Sequence, residues 1–196
     1  MLNLLTKLSE TLSRMQELSV VHMGIQPNVI QCSDEDAFIT DIEDCVHYSV
    51  LGKSHPFSVG YLAYMAPETK DCLSSEEFFN NQNLVKMSVY SLGKLTMQMI
   101  GLLDEEILSD QSLQRFIMEA SWKKFRQHND KGQMEKLELV LQAMLDEKYY
   151  ERVDLVGLYK LLQASATATI SDLMNIKANE KEASQSRHNL MVSKYK

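Results

Sequence analysis

The stretch His22-Met23-Gly24-Ile25-Gln26-Pro27-Asn28-Val29-Ile30 (HMGIQPNVI, residues 22–30) decides how the rest of the chain is read. Before it, Leu2, Leu5, Leu8, Leu12, Met15 and Leu18 recur every three or four residues. That spacing puts them on one face of an amphipathic helix. Gly24 and Pro27 break the period and favour a loop. After them, Val29 and Ile30 suggest a short strand, CSDEDA (residues 32–37) a turn, and FIT (residues 38–40) a returning strand. The local expectation is a small β-hairpin behind a helix.

Further along, residues 43–64 look irregular, with Gly52, Pro56 and Gly60 as breakers. Ala66-Pro67-Glu68 reads as the start of a short helix, and CLSSEEFFNNQN (residues 72–83) as a polar surface insertion. Helices are then expected at Val85–Leu103, Ser112–His128, Met134–Leu145 and Asp154–Gln163, with Gly132 separating two of them. Met97, Met99 and Met144 fall on apolar faces and read as core filler. From Ser165 the apolar stripe thins, and ANEKEASQSRHNLMVSKYK (residues 178–196) is polar. The domain expectation is therefore a folded unit over 1–164 and a polar, partly disordered tail over 165–196.

Bulk properties narrow the function classes. The chain has 196 residues, 44% of them hydrophobic, which suffices for one domain with a real core. A formal net charge of −7 disfavours wholesale binding to nucleic acid or an anionic membrane. Cys32, Cys45 and Cys72 are three in number with no CxxC spacing, so no disulfide framework is implied. Cys45 and His47 lie close in sequence to His22 and His55, but their spacing is not a zinc-ligand pattern. No leader peptide is visible, and the most apolar segment is interrupted by Lys86, Ser88, Lys94 and Gln98. The expectation is a cytoplasmic protein, with the nucleus as a second location.

Taken in order, the segments resemble the C-terminal lobe of the protein kinase fold. VVHMGIQPNVI (residues 20–30) is similar to the catalytic loop, whose pattern is H-R-D-L-x-x-x-N. FITDIE (residues 38–43) resembles the strand entering D-F-G, and GYLAYMAPE (residues 60–68) ends in an intact A-P-E. SVYSLGKLTMQMI (residues 88–100) resembles the central buried helix, and Arg152 stands where the family places the partner of the A-P-E glutamate. The resemblance runs from about Leu4 to Leu162. It implies a mainly α, kinase C-lobe-like helical domain with a small β-hairpin near its start.

The departures remove the chemistry. Gly24 replaces the aspartate that orients the substrate hydroxyl, Met23 the preceding arginine, and Val29 the asparagine that holds a magnesium ion. Asp41 keeps the D-F-G aspartate position as a vestigial metal site, but Glu43 replaces its glycine. Ser88 replaces the central-helix aspartate that steadies the loop. These 196 residues hold no Gly-rich loop and no V-A-I-K lysine. What the resemblance implies as retained is structural: His22 bracing the loop, and a buried Glu68–Arg152 ion pair.

Two functional expectations follow. The first is a catalytically inactive lobe that serves as a protein-interaction, scaffolding or regulatory module, with no cofactor and no metal. In layout it resembles the kinase non-catalytic C-lobe (KIND) domain. Its expected partners are proteins: a basic segment, or an N-lobe from a longer form, meeting the face around Val20, Val21, Ile30 and Phe38. The alternative is the C-terminal part of a serine/threonine protein kinase, with ATP and Mg2+ bound jointly with an N-lobe. The segment over residues 47–64 adds candidate phosphosites at Ser54, Ser58 and Tyr61, beside Ser49 and Tyr64.

Overall fold

A computed structural model describes residues 1–33, 36–48, 63–68, 84–101 and 131–195. The first helix, α1 (Leu2–Glu17), buries Leu5, Leu8 and Leu12, as its period requires. Leu18 is 71% exposed instead of continuing the stripe. The helix has ended at Glu17, and Ser19 takes a left-handed backbone (φ 60) that turns the chain into the first strand.

Four three-residue strands follow: β1 (Val20–His22), β2 (Ile30–Cys32), β3 (Ala37–Ile39) and β4 (Cys45–His47). The antiparallel β2–β3 hairpin pairs Ile30 with Ile39, Gln31 with Phe38 and Cys32 with Ala37. A second antiparallel pair, β1–β4, joins Val20 to His47, Val21 to Val46 and His22 to Cys45. Sequence analysis gave residues 43–64 no regular structure, so β4 is a correction. A strand this short shows no readable alternation, and its partner lies some 25 residues upstream. One hairpin is thus nested inside the other pair. The connections into and out of β2–β3 must converge where β1 and β4 meet.

The remaining described helices are α2 (Leu84–Met99), α3 (Lys131–Met144), α4 (Leu155–Ser165) and α5 (Ile170–Tyr195). Every residue of α2 from Leu84 to Met97 is buried, so this helix is the centre of the core. It packs against α3, α4 and β1, while α1 lies across α4 and the strands. Gly132 sits in the first turn of α3 instead of separating helices, and Met99 is 38% exposed at the end of α2 instead of filling the core. Met97 and Met144 are buried. The helix expected at 112–128 and the insertion at 72–83 lie outside the described residues.

The largest correction concerns the tail. Residues 170–195 form one 26-residue helix packed on α3 and α4. Its start is a capping box. Thr169 accepts from the Asp172 backbone N–H at 3.2 Å, and Asp172 accepts from the Thr169 N–H and hydroxyl at 3.1 and 2.7 Å. The inward face of α5 mixes apolar residues that pack on the core, Ile170, Leu173, Ile176, Met191 and Val192, with Lys177, Glu180, Ser184 and Arg187. Of the polar ones, Arg187 pairs with Asp154 before α4 and Glu180 with Lys160 on α4. The charged residues interrupt the apolar stripe, so a hydrophobicity pattern shows this helix only weakly. No helix among the described residues is long and apolar enough to cross a membrane.

Candidate functional site

The nested strands bring residues 22–29 against residues 40–44. The Met23 N–H donates to the Asp44 carbonyl at 3.0 Å, and the Thr40 N–H to the Val29 carbonyl at 2.8 Å. His22 is buried, and its ring ties the two segments together. Nδ1 accepts from the Gly24 N–H at 3.2 Å, so the proton resides on Nε2, which donates to the Thr40 carbonyl at 3.0 Å. Both ring nitrogens are occupied. His22 is therefore a brace between the two segments.

From below, the Ser88 hydroxyl on α2 donates to the His22 carbonyl at 2.5 Å. Met23 packs on the core edge, and Val29 is buried within the short 3-10 turn Pro27–Val29. Neither offers a polar group to a ligand. Gly24 is buried and needs its missing side chain, because a Cβ there would run into the Asp44 carboxylate and lie 2.9 Å from its Cγ. The space a side chain at position 24 would take is filled from a different element.

Asp41 adopts a left-handed backbone (φ 56, ψ 55) at the start of the 3-10 turn Ile42–Asp44. Its carbonyl accepts from the Asp44 N–H at 3.1 Å. Asp41 and Glu43 are exposed, and Asp44 is half-buried beside Gly24. Burial, then the charges of Asp44 and Glu43, push the Cys45 thiol up, so it stays protonated and poor as a nucleophile or ligand. Among the described residues, no group of three or more His, Cys, Asp and Glu side chains is disposed to hold a metal ion.

Below α2 lies Arg152, fully buried in the turn before α4. All five of its donors have acceptors. Nη1 and Nη2 reach the two Glu68 carboxylate oxygens at 2.5 and 2.8 Å, a bidentate pair. Nε reaches the Asp146 carbonyl at 2.5 Å, and the Lys86 and Glu147 carbonyls each accept at 3.3 Å. The guanidinium lies 4.7 Å from the Tyr90 ring centre. Burial raises the Tyr90 hydroxyl to about 12, so the ring stays neutral beneath the cation. Glu68 follows Pro67 where a helical turn begins, so this contact ties residues 63–68 to the helical core.

A second buried polar centre was not legible in the sequence. Asp154 caps α4 by accepting from the Gly157 N–H at 2.8 Å. It also takes Arg187 of α5 in a bidentate pair, both bonds 2.7 Å, and the Gln16 amide of α1 at 2.9 Å. Gln16 in turn accepts from the Val156 N–H at 3.2 Å. Glu180 accepts from Arg187 at 2.8 Å and from Lys160 at 2.9 Å. Three helices meet at one carboxylate. The only trace of this in the sequence is an N-cap aspartate.

The first region is a loop braced by His22 and Ser88 with the Asp44 carboxylate beside Gly24, and the other two are structural clamps. Ser49, Ser54, Ser58, Tyr61 and His55 lie outside the described residues, as does Cys72. Tyr64 is buried and its hydroxyl donates to Gln98. No family model and no curated protein matches this chain.

Proposed function

We propose that this chain is a kinase-like C-terminal lobe without phosphoryl-transfer chemistry, acting as a protein-interaction, scaffolding or regulatory module. The observation that carries the reading is the loop over residues 22–29. It is held as a working loop would be, by His22, Ser88 and the paired strands, yet position 24 has no side chain and its space is filled by Asp44. Phosphoryl transfer depends on positioning and on neutralising charge. A loop with no hydroxyl-orienting carboxylate of its own, and with Val29 where a metal ligand belongs, supplies neither. Support also comes from the buried Glu68–Arg152 pair, which clamps the segment after the loop to the helical core. The KIND-like layout, a basic segment as partner, and an N-lobe supplied by a longer form belong to the same proposal.

One observation favours the alternative, the C-terminal part of a serine/threonine kinase. The Asp44 carboxylate stands beside Gly24, and Asp41 is exposed next to it. In that reading the two aspartates would serve ATP and Mg2+ together with an N-lobe.

A thermal-shift titration with ATP, with and without magnesium, tests both. The binding-module reading expects no shift at millimolar ligand. A magnesium-dependent stabilisation of about 1 kcal/mol or more, lost on Asp41→Ala, would overturn it in favour of the alternative.

A further inference from the structure

We infer that the outer face of the β2–β3 hairpin, with the turn that follows it, docks a basic, amphipathic protein segment. The inference rests on the protein-binding reading above and names its surface and partner chemistry.

The charge of the chain is not evenly spread. Between Arg14 and Lys53 there is no Lys or Arg, while Glu17, Asp34, Glu35, Asp36, Asp41, Glu43 and Asp44 supply seven carboxylates. Removing those seven from the chain's 27 leaves 20 carboxylates against 20 Lys and Arg, so this stretch carries the whole net charge of −7. Within it, no ion pair with a described residue engages Asp41, Glu43 or Asp44. Asp36 is answered by Lys7 at 2.7 Å, which sets the edge of the face.

The same turn exposes large apolar side chains. Phe38 is 56% exposed on the outward side of β3, opposite exposed Gln31, while Ala37 points into the core. Ile42, four residues on, is 78% exposed between Asp41 and Glu43. Single exposed apolar residues are ordinary. An exposed Phe and an exposed Ile bracketed by carboxylates that no described residue pairs with is a different pattern, that of an apolar centre with a charged rim.

Complementarity then selects the occupant. Concentrated negative charge attracts cations over roughly 8–10 Å in physiological salt and repels nucleic acid and anionic lipid. A small divalent ion fails on geometry, since no described set of three donors converges to hold one. It would also leave Phe38 and Ile42 wet. A polymer with Lys or Arg flanking an apolar stripe satisfies both halves of the face.

Fluorescence anisotropy on the whole chain tests this with a labelled peptide of repeated Lys-Leu-Leu-Lys. The controls are a polylysine of equal charge and the Glu-Leu-Leu-Glu counterpart. The expected result is saturable binding of the first peptide, weakened about tenfold or more by Asp41→Lys with Glu43→Lys, and separately by Phe38→Ser with Ile42→Ser. Only the charge variant should also lose most of the salt dependence. These side chains are exposed, so circular dichroism should show both variants folded. Three results overturn the inference: no saturable binding, binding that ignores both variants, or polylysine binding as well as the amphipathic peptide regardless of Phe38 and Ile42. Magnesium-ATP thermal shift on the same samples reports separately on the binding-module reading, so the two failures are distinguishable.

Discussion

Replacing Arg152 by alanine should be the most damaging single change among the described residues. Arg152 is fully buried, and its five donors serve one carboxylate and three backbone carbonyls. The substitution leaves Glu68, only 10% exposed at its side chain, without its cation. It also strands the carbonyls of Asp146, Glu147 and Lys86 and opens a void under Tyr90. Removing one partner of a buried pair costs about 3–5 kcal/mol. A domain of this size has about 5–15 kcal/mol in total, and loses about 2–4 °C of melting temperature per kcal/mol. Arg152→Ala should therefore lower the melting temperature by about 6–20 °C. The double substitution Arg152→Met with Glu68→Leu should recover much of that loss, because it buries no unpaired charge. The assay is urea and thermal denaturation followed by circular dichroism on the native chain, Arg152→Ala and the double variant. A cost below about 1 kcal/mol for Arg152→Ala, or a double variant as unstable as the single, would refute the clamp.

Other expectations are equally specific. Gly24→Asp, which adds the aspartate that the proposed kinase-like reading finds missing, should destabilise and confer no kinase activity, because its side chain meets the Asp44 carboxylate; Asp44→Gly in the same chain should relieve the loss, as read from the urea midpoint. Lys86 is buried in α2, and that burial, against the partly opposing attraction of Asp154, pulls its pKa from 10.5 down to about 8. The unfolded chain then holds the proton more tightly than the native one, so stability should rise between about pH 8 and 10.5 from this group. Lys86→Met should flatten that rise in pH-dependent melting. Burial raises the hydroxyls of Tyr48 and Tyr90, so they oppose the trend above pH 10 in both proteins. Arg187→Ala removes two hydrogen bonds from buried Asp154 and should cost about 2–3 kcal/mol; truncation after Gln163 should abolish a single cooperative transition.

Much of the fold lay in plain sight because it depends on local spacing. The leucines of α1, the apolar run of α2, and the turn chemistry between β2 and β3 each fit within one or two turns of chain, and each was readable within a few residues at its ends. The candidate loop was legible for the same reason: Gly24 and Pro27 break the helical period at fixed offsets from the leucines of α1. Where the reading failed, the missing information was long-range. The β4 strand exists because β1 lies ready to pair with it, and α5 docks because Asp154 takes Arg187 and Lys160 takes Glu180.

The sequence by itself determined the helical periods, the hairpin, the concentration of charge between residues 15 and 52, and the absence of an aspartate at position 24. Only the tertiary structure decided that Asp44 fills the space beside Gly24, that both nitrogens of His22 are spent on backbone, and that Asp154 joins three helices. The physical reason is the range of the forces involved. Backbone propensity and side-chain period act between neighbours and leave their mark in order along the chain. Hydrogen bonds between buried polar groups act between residues brought together by the fold, and no local pattern records their partners.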